Sequence, residues 1–387
     1  MKYSCHGNDI PPADTEFTMA FLFSVETQTC IEMANLSHKR LLAIDKNHKE
    51  AAREANLYYV TDKDPGIQRL KKGKGYLYTY LGKPLKNKEH LERIRKLAIP
   101  PSWTEVWICY KPNGHIQATG LDLNKRKQYR YHADWNSLRT QTKFHRLYEF
   151  GKVLPHLRKR IRKDLALPEL NENKVLAAVI NLMELTYIRI GNNGYEKLYG
   201  SYGLTTLKDK HVKIQKENIQ FSFTGKKGIT HTISLKNKRL ARIVKQCRDI
   251  PGRELFQYYQ GNGDKKKIDS GIVNNYIKEA TGQDFTAKDF RTWAGSLQAL
   301  QIFCSLQEPA NEKDAKKNTV TVLDEVSKKL GNTRSVCRKY YVHPVLIELY
   351  EENKLTACMG KNSNKKTNGT GLTVEENNLM HILKIAG

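Results

Sequence analysis

The secondary-structure preference of the chain changes near residue 136, and this change limits the folds that it can adopt. Before that point, short runs of β-branched and aromatic residues are separated by turn residues, with one helical segment at about 87–97. After it, apolar residues recur at helical spacing, as in the stripe formed by Val175, Val179, Leu182 and Met183. The β-forming runs lie at residues 57–60, 76–80, 106–110, 116–119 and 128–131. We therefore predict an α+β protein with a small β-rich N-terminal domain and a mainly helical second domain.

This pattern divides the chain into four predicted segments. Residues 1–56 are predicted to be a leader that is helical or partly disordered, with a helix at 38–56 that Ser37 caps. Residues 57–135 form the β-rich domain and residues 136–358 the helical domain, with a polar linker at 307–318. Residues 359–387 are predicted to be a flexible tether and a short C-terminal helix, because a capping box at 373–376 follows a low-complexity run.

The charge balance limits the partners of the protein. Lys and Arg total 66 against 40 Asp and Glu, which gives a formal net charge of +26. Such an excess favours a polyanion, either a nucleic acid or an anionic membrane surface. No apolar run is long enough to span a bilayer, and no basic segment precedes the apolar patch at 19–25. We therefore expect a soluble intracellular protein with no membrane partner.

Several classes of site are missing from the sequence. The seven cysteines are scattered without a CxxC pair, and the histidines form no HxxxH or HExxH pattern. No GxxxxGK[ST] phosphate-binding loop occurs. The sequence therefore predicts no metal site, no disulfide framework and no nucleotide cofactor.

A basic stretch at 124–163 is the first candidate nucleic-acid contact. It contains thirteen Lys and Arg but only two acidic residues, Asp134 and Glu149. A charge run is usually a solvated face, but aromatic side chains are interleaved with this one, which favours phosphate and sugar contact. These aromatic residues are Tyr129, Tyr131, Trp135, Phe144 and Tyr148.

Five polar residues lie beside strongly structured elements: Arg189, Lys226, Arg291, Asn332 and Tyr341. Alternating residues on both sides of 224–228 predict a β-hairpin with Lys226 and Lys227 at its tip. Each residue alone has an ordinary interpretation, such as a turn lysine or a helix-end arginine. Together, the five residues outweigh these separate interpretations.

The blocks that contain these five residues resemble the type IB DNA topoisomerases, in the compact bacterial and poxvirus-like branch. The resemblance runs in order from about residue 57 to about residue 351. The matching blocks are 186–191 (TYIRIG), 203–208 (GLTTLK), 223–226 (FTGK), 288–294 (KDFRTWA) and 330–341 (LGNTRSVCRKYY). The implied activity is ATP-free and metal-free relaxation of supercoiled duplex DNA through a covalent 3′-phosphotyrosyl intermediate.

The resemblance also implies a role for each residue. Tyr341 is the nucleophile, Arg189 and Arg291 clamp the scissile phosphate, and Lys226 is the general acid. Asn332 occupies the place of a histidine in poxvirus enzymes and can stabilise the transition state by a hydrogen bond, without titrating. The nine-residue spacing from Asn332 selects Tyr341 over Tyr340. Lys227 is the alternative to Lys226.

DNA contacts outside the catalytic set are implied more weakly. The stretch 128–131 (QYRY) resembles the one with which poxvirus-like members contact DNA. The expected DNA-binding residues are Gln128, Tyr129, Arg130, Tyr131, Tyr195 and Lys227. The resemblance also implies a monomer that clamps the duplex, without a cofactor, in the cytoplasm and associated with the nucleoid.

Two alternatives remain open at this stage. A tyrosine recombinase shares the catalytic fold and nucleophile, but recombinases show His-x-x-Arg where this chain has Lys288-Asp-Phe-Arg291, and they carry a helical N-terminal domain. A basic DNA-packaging or architectural protein is compatible with the charge alone.

Overall fold

The computed structural model of the protein describes residues 38–261, 263–358 and 371–385, and these residues form two compact units. The first unit ends at His145 and the second begins at Arg146, inside a 33-residue helix, Ala133–Leu165. The predicted boundary at residue 135 falls in the first turn of the same helix. Most of the predicted leader (residues 1–37) and of the tether (residues 359–370) lies outside the described residues.

An antiparallel six-stranded sheet is the centre of the first unit. Its strand order is β3-β2-β1-β4-β5-β6, so β6 is an edge strand. Ile67, Val106, Ile108 and Ala118 bury one face of the sheet together with Ile94 of a helix. The strands are β1 (Gly66–Lys72), β2 (Gly75–Tyr80), β3 (Lys83–Pro84), β4 (Thr104–Cys109), β5 (Ile116–Leu121) and β6 (Lys127–Tyr131).

The sequence prediction was wrong at two places in this sheet. The run 57–60 is no strand, since only Tyr58 forms an isolated bridge, to Gly114. Strand β1 was missed because it offers only Ile67 as a buried apolar residue. Its other buried side chain, Arg69, donates hydrogen bonds to the carbonyls of Ile99, Pro100 and Trp103, and a pattern of apolar residues cannot reveal such a strand.

Three helices complete the first unit: α1 (His38–Lys46), α2 (His48–Glu54) and α3 (Lys88–Lys96). Asn47, which caps α2, divides the single helix predicted at 38–56 into two. Leu41 and Ile44 of α1 and Ala51 and Ala52 of α2 pack against Trp135 and Leu138. This part of the predicted leader therefore belongs to the core of the first unit.

The second unit is mainly helical, as predicted, and carries the predicted hairpin as β8 and β9 of a three-stranded antiparallel sheet with order β7-β8-β9. Its strands are β7 (Val212–Gln215), β8 (Asn218–Thr224), β9 (Thr230–Lys236), β10 (Gln257–Tyr259) and β11 (Lys265–Lys267). The helix that contains the unit boundary is α4 (Ala133–Leu165). The helices that follow it are α5 (Glu172–Thr186), α6 (Asn193–Tyr199), α7 (Lys238–Arg248), α8 (Ser270–Thr281), α9 (Ala287–Ser305), α10 (Glu312–Leu330), α11 (Arg334–Tyr340), α12 (Pro344–Glu351) and α13 (Val374–Ile385). None of the helices described here is long and apolar enough to cross a membrane.

Helix α5 is the centre of the second unit. The predicted stripe of Val175, Val179, Leu182 and Met183 is buried. The polar linker predicted at 307–318 is wrong from residue 312, because α10 begins there, capped by Asn311. Its first two turns are largely exposed and bury only Ala315, so they lack the apolar periodicity that would predict a helix.

Helix α13 docks on the second unit through a buried ion pair as well as apolar contacts. The Arg158 guanidinium donates to both carboxylate oxygens of Glu376 at 2.6 and 2.8 Å, and its Nε donates to Glu184 at 2.8 Å. Glu376 also accepts from Trp293 Nε1 at 3.2 Å and from the backbone N–H of Thr373, which confirms the predicted capping box. Burial raises the pKa of Glu376, but the hydrogen bonds and charge of Arg158, together with the hydrogen bonds from Thr373 and Trp293, outweigh burial, so the pKa lies below its usual value.

We expect the substitution Glu376→Gln to lower the free energy of unfolding by about 3 kcal/mol, since it removes one partner of a buried charge pair. Urea unfolding followed by circular dichroism measures the change. Glu375→Gln, on the exposed side of the same turn, is the matched control and should stay within about 0.5 kcal/mol of the original protein. Equal effects of the two substitutions would show that the buried pair adds nothing to stability.

Candidate active site

The end of α5 positions Arg189. The helix is capped at its start by Asn171 and ends at Tyr187, which has a left-handed backbone with φ of 58°. This conformation is uncommon for a residue other than glycine. The Tyr187 carbonyl accepts a hydrogen bond of 2.5 Å from Arg291 Nη1, so the helix end that precedes Arg189 is tied to the second arginine.

Helix α9 supplies Arg291. A capping box of Thr286 and Asp289 fixes the start of the helix. The Arg291 side chain points into the protein and is only 5% exposed. Its Nη2 donates to the carbonyl of Leu330 at 2.7 Å.

The turn between α10 and α11 holds both guanidiniums. Gly331 ends α10 with φ of 58°, and its carbonyl accepts a hydrogen bond of 2.8 Å from Arg189 Nη2. The same Nη2 donates to the side-chain oxygen of Asn332. Leu330, Gly331 and Asn332 are consecutive and each accepts from one of the arginines, so this turn fixes Arg189 and Arg291 beside each other.

Tyr341 directly follows α11 and lies against the same cluster. The Arg291 guanidinium carbon lies 5.2 Å from the centre of the Tyr341 ring. The Tyr341 carbonyl accepts from Ser296 Oγ at 3.1 Å. A methyl group on Gly295 would lie 2.5 Å from the same carbonyl oxygen, so the backbone of Tyr341 approaches α9 as closely as a glycine permits.

The electrostatics of the site favour an anion. No ion pair involves Arg189 or Arg291 in the described part of the chain, because both donate to uncharged oxygens. Burial, and then the charge of Arg291, lower the pKa of Arg189 to about 10. Two buried donor groups, Arg291 Nε and Asn332 Nδ2, have no hydrogen-bond acceptor among the described residues. Buried donors without acceptors are rare, which makes these two groups candidates for binding an anion.

The buried thiol of Cys337 lies near Arg189, Arg291 and the Asn332 side chain. Burial raises its pKa to about 11, while Arg291, Arg189 and the Asn332 amide act in the opposite direction. The thiol is therefore neutral at physiological pH and does not compensate the two cations.

Lys226 lies at the exposed tip of the hairpin and not in the cluster of hydrogen-bonded residues. It opens the one-turn segment Lys226–Gly228 at the hairpin tip, where it is exposed. In the residues that the structure describes, it forms no hydrogen bond or ion pair with Arg189, Arg291, Asn332 or Tyr341. The structure therefore brings four of the five predicted catalytic residues together and leaves the fifth on an exposed turn. Lys227, the alternative, lies beside it with φ of 65°.

The predicted DNA-binding residues of the first unit lie on edge strand β6. Tyr129 and Tyr131 are exposed and their rings stack at 5.7 Å. Gln128 and Arg130 alternate with them, and both are already hydrogen-bonded, Gln128 to Asp122 and Arg130 to the carbonyl of Ala98. The four residues therefore divide between the two faces of the strand. In the second unit, the remaining predicted contact, Tyr195, is exposed on α6.

In the basic stretch 124–163, fewer residues are available for nucleic-acid contact than the sequence predicts. All of the stretch is described, and seven of its thirteen cations form ion pairs with carboxylates of other described residues. Trp135 and Phe144, two of the aromatic residues predicted to contact nucleic acid, are buried in the core. The paired cations are Arg126, Lys127, Arg139, Arg146, Lys152, Arg158 and Arg160.

Sequence reasoning missed Tyr187, Gly295 and Ser296. Tyr187 acts through its carbonyl, Gly295 through its missing side chain, and Ser296 through a hydrogen bond to the backbone of Tyr341. Gly295 and Ser296 directly follow the block at 288–294, which is the one signal that could have indicated them.

Comparisons with known proteins agree on one family. A family model described as the catalytic core of eukaryotic DNA topoisomerase I matches residues 132–368, and a model of the N-terminal domain of bacterial DNA topoisomerase IB matches residues 75–122. DNA topoisomerase 1B of Acanthamoeba polyphaga mimivirus is 35% identical over 297 residues, which cover 74% of this chain and 88% of the relative. DNA topoisomerase I of Monkeypox virus and DNA topoisomerase 1B of Vaccinia virus (strain Copenhagen) are each 23% identical over 280 residues, covering 70% of this chain and 85% of the relative.

The resemblance found in the sequence is thereby confirmed. The catalytic-core match covers more than half of the chain and includes the cluster of Arg189, Arg291, Asn332 and Tyr341. The chain belongs to the type IB DNA topoisomerase family.

Proposed function

We propose that this protein relaxes supercoiled DNA by cutting one strand through Tyr341 and then resealing it. One observation carries the proposal: the buried guanidinium of Arg291 and the half-buried guanidinium of Arg189 meet beside the Tyr341 ring, and neither has a carboxylate partner among the described residues. The Asn332 amide nitrogen, whose oxygen accepts from Arg189, has no acceptor there either. This arrangement suits the pentacoordinate state of phosphoryl transfer, in which the non-bridging oxygens gain negative charge.

Cleavage exchanges one phosphoester bond for another. The phenolic oxygen of Tyr341 attacks the phosphorus, a phosphotyrosyl bond to the 3′ phosphate forms, and the bond from phosphorus to the 5′ oxygen breaks. The phenolic proton passes to solvent, and Lys226 gives a proton to the departing 5′ oxygen. Arg189 and Arg291 bind the non-bridging oxygens throughout, and Asn332 Nδ2 donates to one of them.

Religation reverses these steps. The 5′ hydroxyl attacks the phosphotyrosyl phosphorus, its proton returns to the amine of Lys226, and the tyrosine leaves. The phosphotyrosyl ester retains about the free energy of the original bond, so resealing requires no nucleotide. While the strand is open, torsional strain in the DNA drives rotation.

The alternative enzyme is a tyrosine recombinase, and two observations favour the topoisomerase. Residues 75–122 match the N-terminal domain of bacterial DNA topoisomerase IB. Lys288, which replaces the recombinase histidine, is exposed on the first turn of α9. A purely architectural DNA-binding protein would not need two neighbouring arginines beside a tyrosine that have no carboxylate partner among the described residues.

We further propose that the substrate is duplex DNA and that the protein acts as a monomer. The excess of 26 positive charges supports a polyanion with high charge density, which duplex DNA provides. The stacked, exposed pair of Tyr129 and Tyr131 supplies a surface for base or sugar contact.

The substitution Tyr341→Phe should abolish both relaxation and the covalent adduct, because it removes the attacking oxygen. The assay incubates supercoiled plasmid with the protein in EDTA without ATP, traps the adduct by denaturation and locates it by protease digestion. Tyr340→Phe, at the exposed neighbour, is the matched control and should relax plasmid at the original rate. Normal relaxation by the Tyr341→Phe protein would refute the assignment of the nucleophile.

Asn332→Ala should slow cleavage about 10²–10³-fold, as expected for the loss of one transition-state donor. Asn332→Asp should be slower still, since its carboxylate would pair with Arg189 and repel the phosphate. Single-turnover cleavage of a suicide duplex measures both rates. An unchanged rate in the alanine variant would reduce Asn332 to a structural role.

The anion site can be tested without DNA. Sulfate should raise the thermal midpoint of the original protein above that in chloride of equal ionic strength, since a ligand of the folded state stabilises it. We expect a shift of roughly 2–4 °C, equivalent to about 1 kcal/mol. Arg291→Gln should lose this increment, whereas Arg334→Gln, at an exposed arginine paired with Asp324, should keep it. An increment retained in Arg291→Gln would contradict an anion site at this residue.

Binding to duplex DNA should weaken steeply with salt. A contact area with six to ten phosphates predicts a loss of roughly 10³–10⁵ in affinity between 50 and 200 mM salt. Fluorescence anisotropy with the Tyr341→Phe protein measures the slope without cleavage, and sedimentation of the complex gives its stoichiometry. A flat salt response, or two chains per short duplex, would contradict the proposal.

A further inference from the structure

His231 is the one titratable residue of the hairpin that lies against the catalytic cluster. It is on β9, opposite Phe223 of β8, and the two rings stack at 5.2 Å with an angle of 26° between their planes. The ring is half-buried, and it lines a narrow cavity together with Arg189, Gly225 and Leu330. The side chain therefore lies between the hairpin and the residues that hold the arginines.

Two glycines form the slot that contains this ring. A methyl group on Gly225 would lie 2.6 Å from His231 Cδ2, and one on Gly331 would lie 2.4 Å from His231 Cε1. Gly225 directly precedes Lys226, and Gly331 directly precedes Asn332. One imidazole ring thus touches the residue before the proposed general acid and the residue before the transition-state donor.

Among the described residues, the hairpin tip forms few hydrogen bonds with the rest of the protein. Its backbone closes on itself, with Gly225 N–H donating to the carbonyl of Ile229 at 2.7 Å. The end of β8 is tied elsewhere, where Tyr202 N–H donates to the Thr224 carbonyl at 2.8 Å. Lys226 itself is exposed and forms no hydrogen bond among the described residues. The contact through His231 therefore links the tip to the turn at 331–332.

The charge state of the ring suits this position. Burial, followed by the charges of Arg189 and Arg291, lowers the pKa of His231 below its usual value. A neutral imidazole can lie beside two guanidiniums without repelling them, whereas a charged side chain would compete for the phosphate.

We propose that His231 is a positioning residue that docks the Lys226 hairpin tip against the Gly331–Asn332 turn, so that Lys226 reaches the departing 5′ oxygen. This inference rests on the proposed function, in which Lys226 is the general acid. Without the ring, the arginine clamp remains intact, because its hydrogen bonds go to Tyr187, Leu330, Gly331 and Asn332. The loss should therefore fall on proton donation.

The leaving group distinguishes this role from a general structural one. A duplex in which sulfur replaces the bridging 5′ oxygen expels a thiolate, which needs no general acid. The experiment compares single-turnover cleavage of the oxygen and sulfur duplexes by full-length variants. His231→Ala should cleave the oxygen duplex at least about 10-fold more slowly than the original protein, as part of the 10²–10⁴ that a general acid contributes. On the sulfur duplex, its rate should return to within about 3-fold of the original.

A second variant tests the slot itself. Gly225 has φ of −93° and ψ of −164°, which alanine adopts without strain, so Gly225→Ala should act by displacing the His231 ring. It should show the same selective rescue by sulfur. Thr232→Ala, at the exposed neighbour on β9, should be unaffected on both duplexes.

Lys226→Ala distinguishes the role of His231 from the assignment of Lys226 as the general acid. Rescue of Lys226→Ala by sulfur, without rescue of His231→Ala or Gly225→Ala, would overturn the role of His231 and leave the proposed function intact. Failure of Lys226→Ala to be rescued would instead overturn the assignment of the general acid. An original rate for His231→Ala on the oxygen duplex would also overturn the inference.

Discussion

The hydrogen bonds from two arginines to the turn at Leu330, Gly331 and Asn332 are the interaction on which the site depends. The acceptors are carbonyl and amide oxygens, so the guanidiniums are oriented without being neutralised. Carboxylate partners would hold the arginines more strongly but would occupy the place that we propose for the phosphate. The charged form of Arg189 is destabilised as a result, because burial and the charge of Arg291 lower its pKa to about 10.

The surrounding elements stabilise this uncompensated cluster from several directions. Helix α9 presents Arg291 to the site, while Gly295 and Ser296 on the same helix fix the backbone of Tyr341. Two residues beyond Arg291, Trp293 donates to Glu376 of α13. Helix α13 lies beyond the catalytic-core match, which ends at residue 368. A segment outside the shared core thus contacts the helix that supplies Arg291.

Much of the fold follows from local patterns. The stripe on α5 and the hairpin with Lys226 at its tip were predictable because periodicity, capping and turn signals act over a few residues. The errors occurred where such signals are weak. Strand β1 buries a charged Arg69 on backbone carbonyls, and the first turns of α10 are polar and exposed.

The sequence by itself determined which residue types are available for the chemistry, in which order, and on which elements, because blocks such as 288–294 and 330–341 are local and specific. Tertiary structure alone decided that Arg189 and Arg291 share one turn and that His231 occupies a slot between Gly225 and Gly331. It also decided that Arg158, from the basic stretch, pairs with Glu376 far along the chain and is not free for DNA. These features depend on contacts between residues distant in sequence, and neither periodicity nor composition records which distant atoms meet.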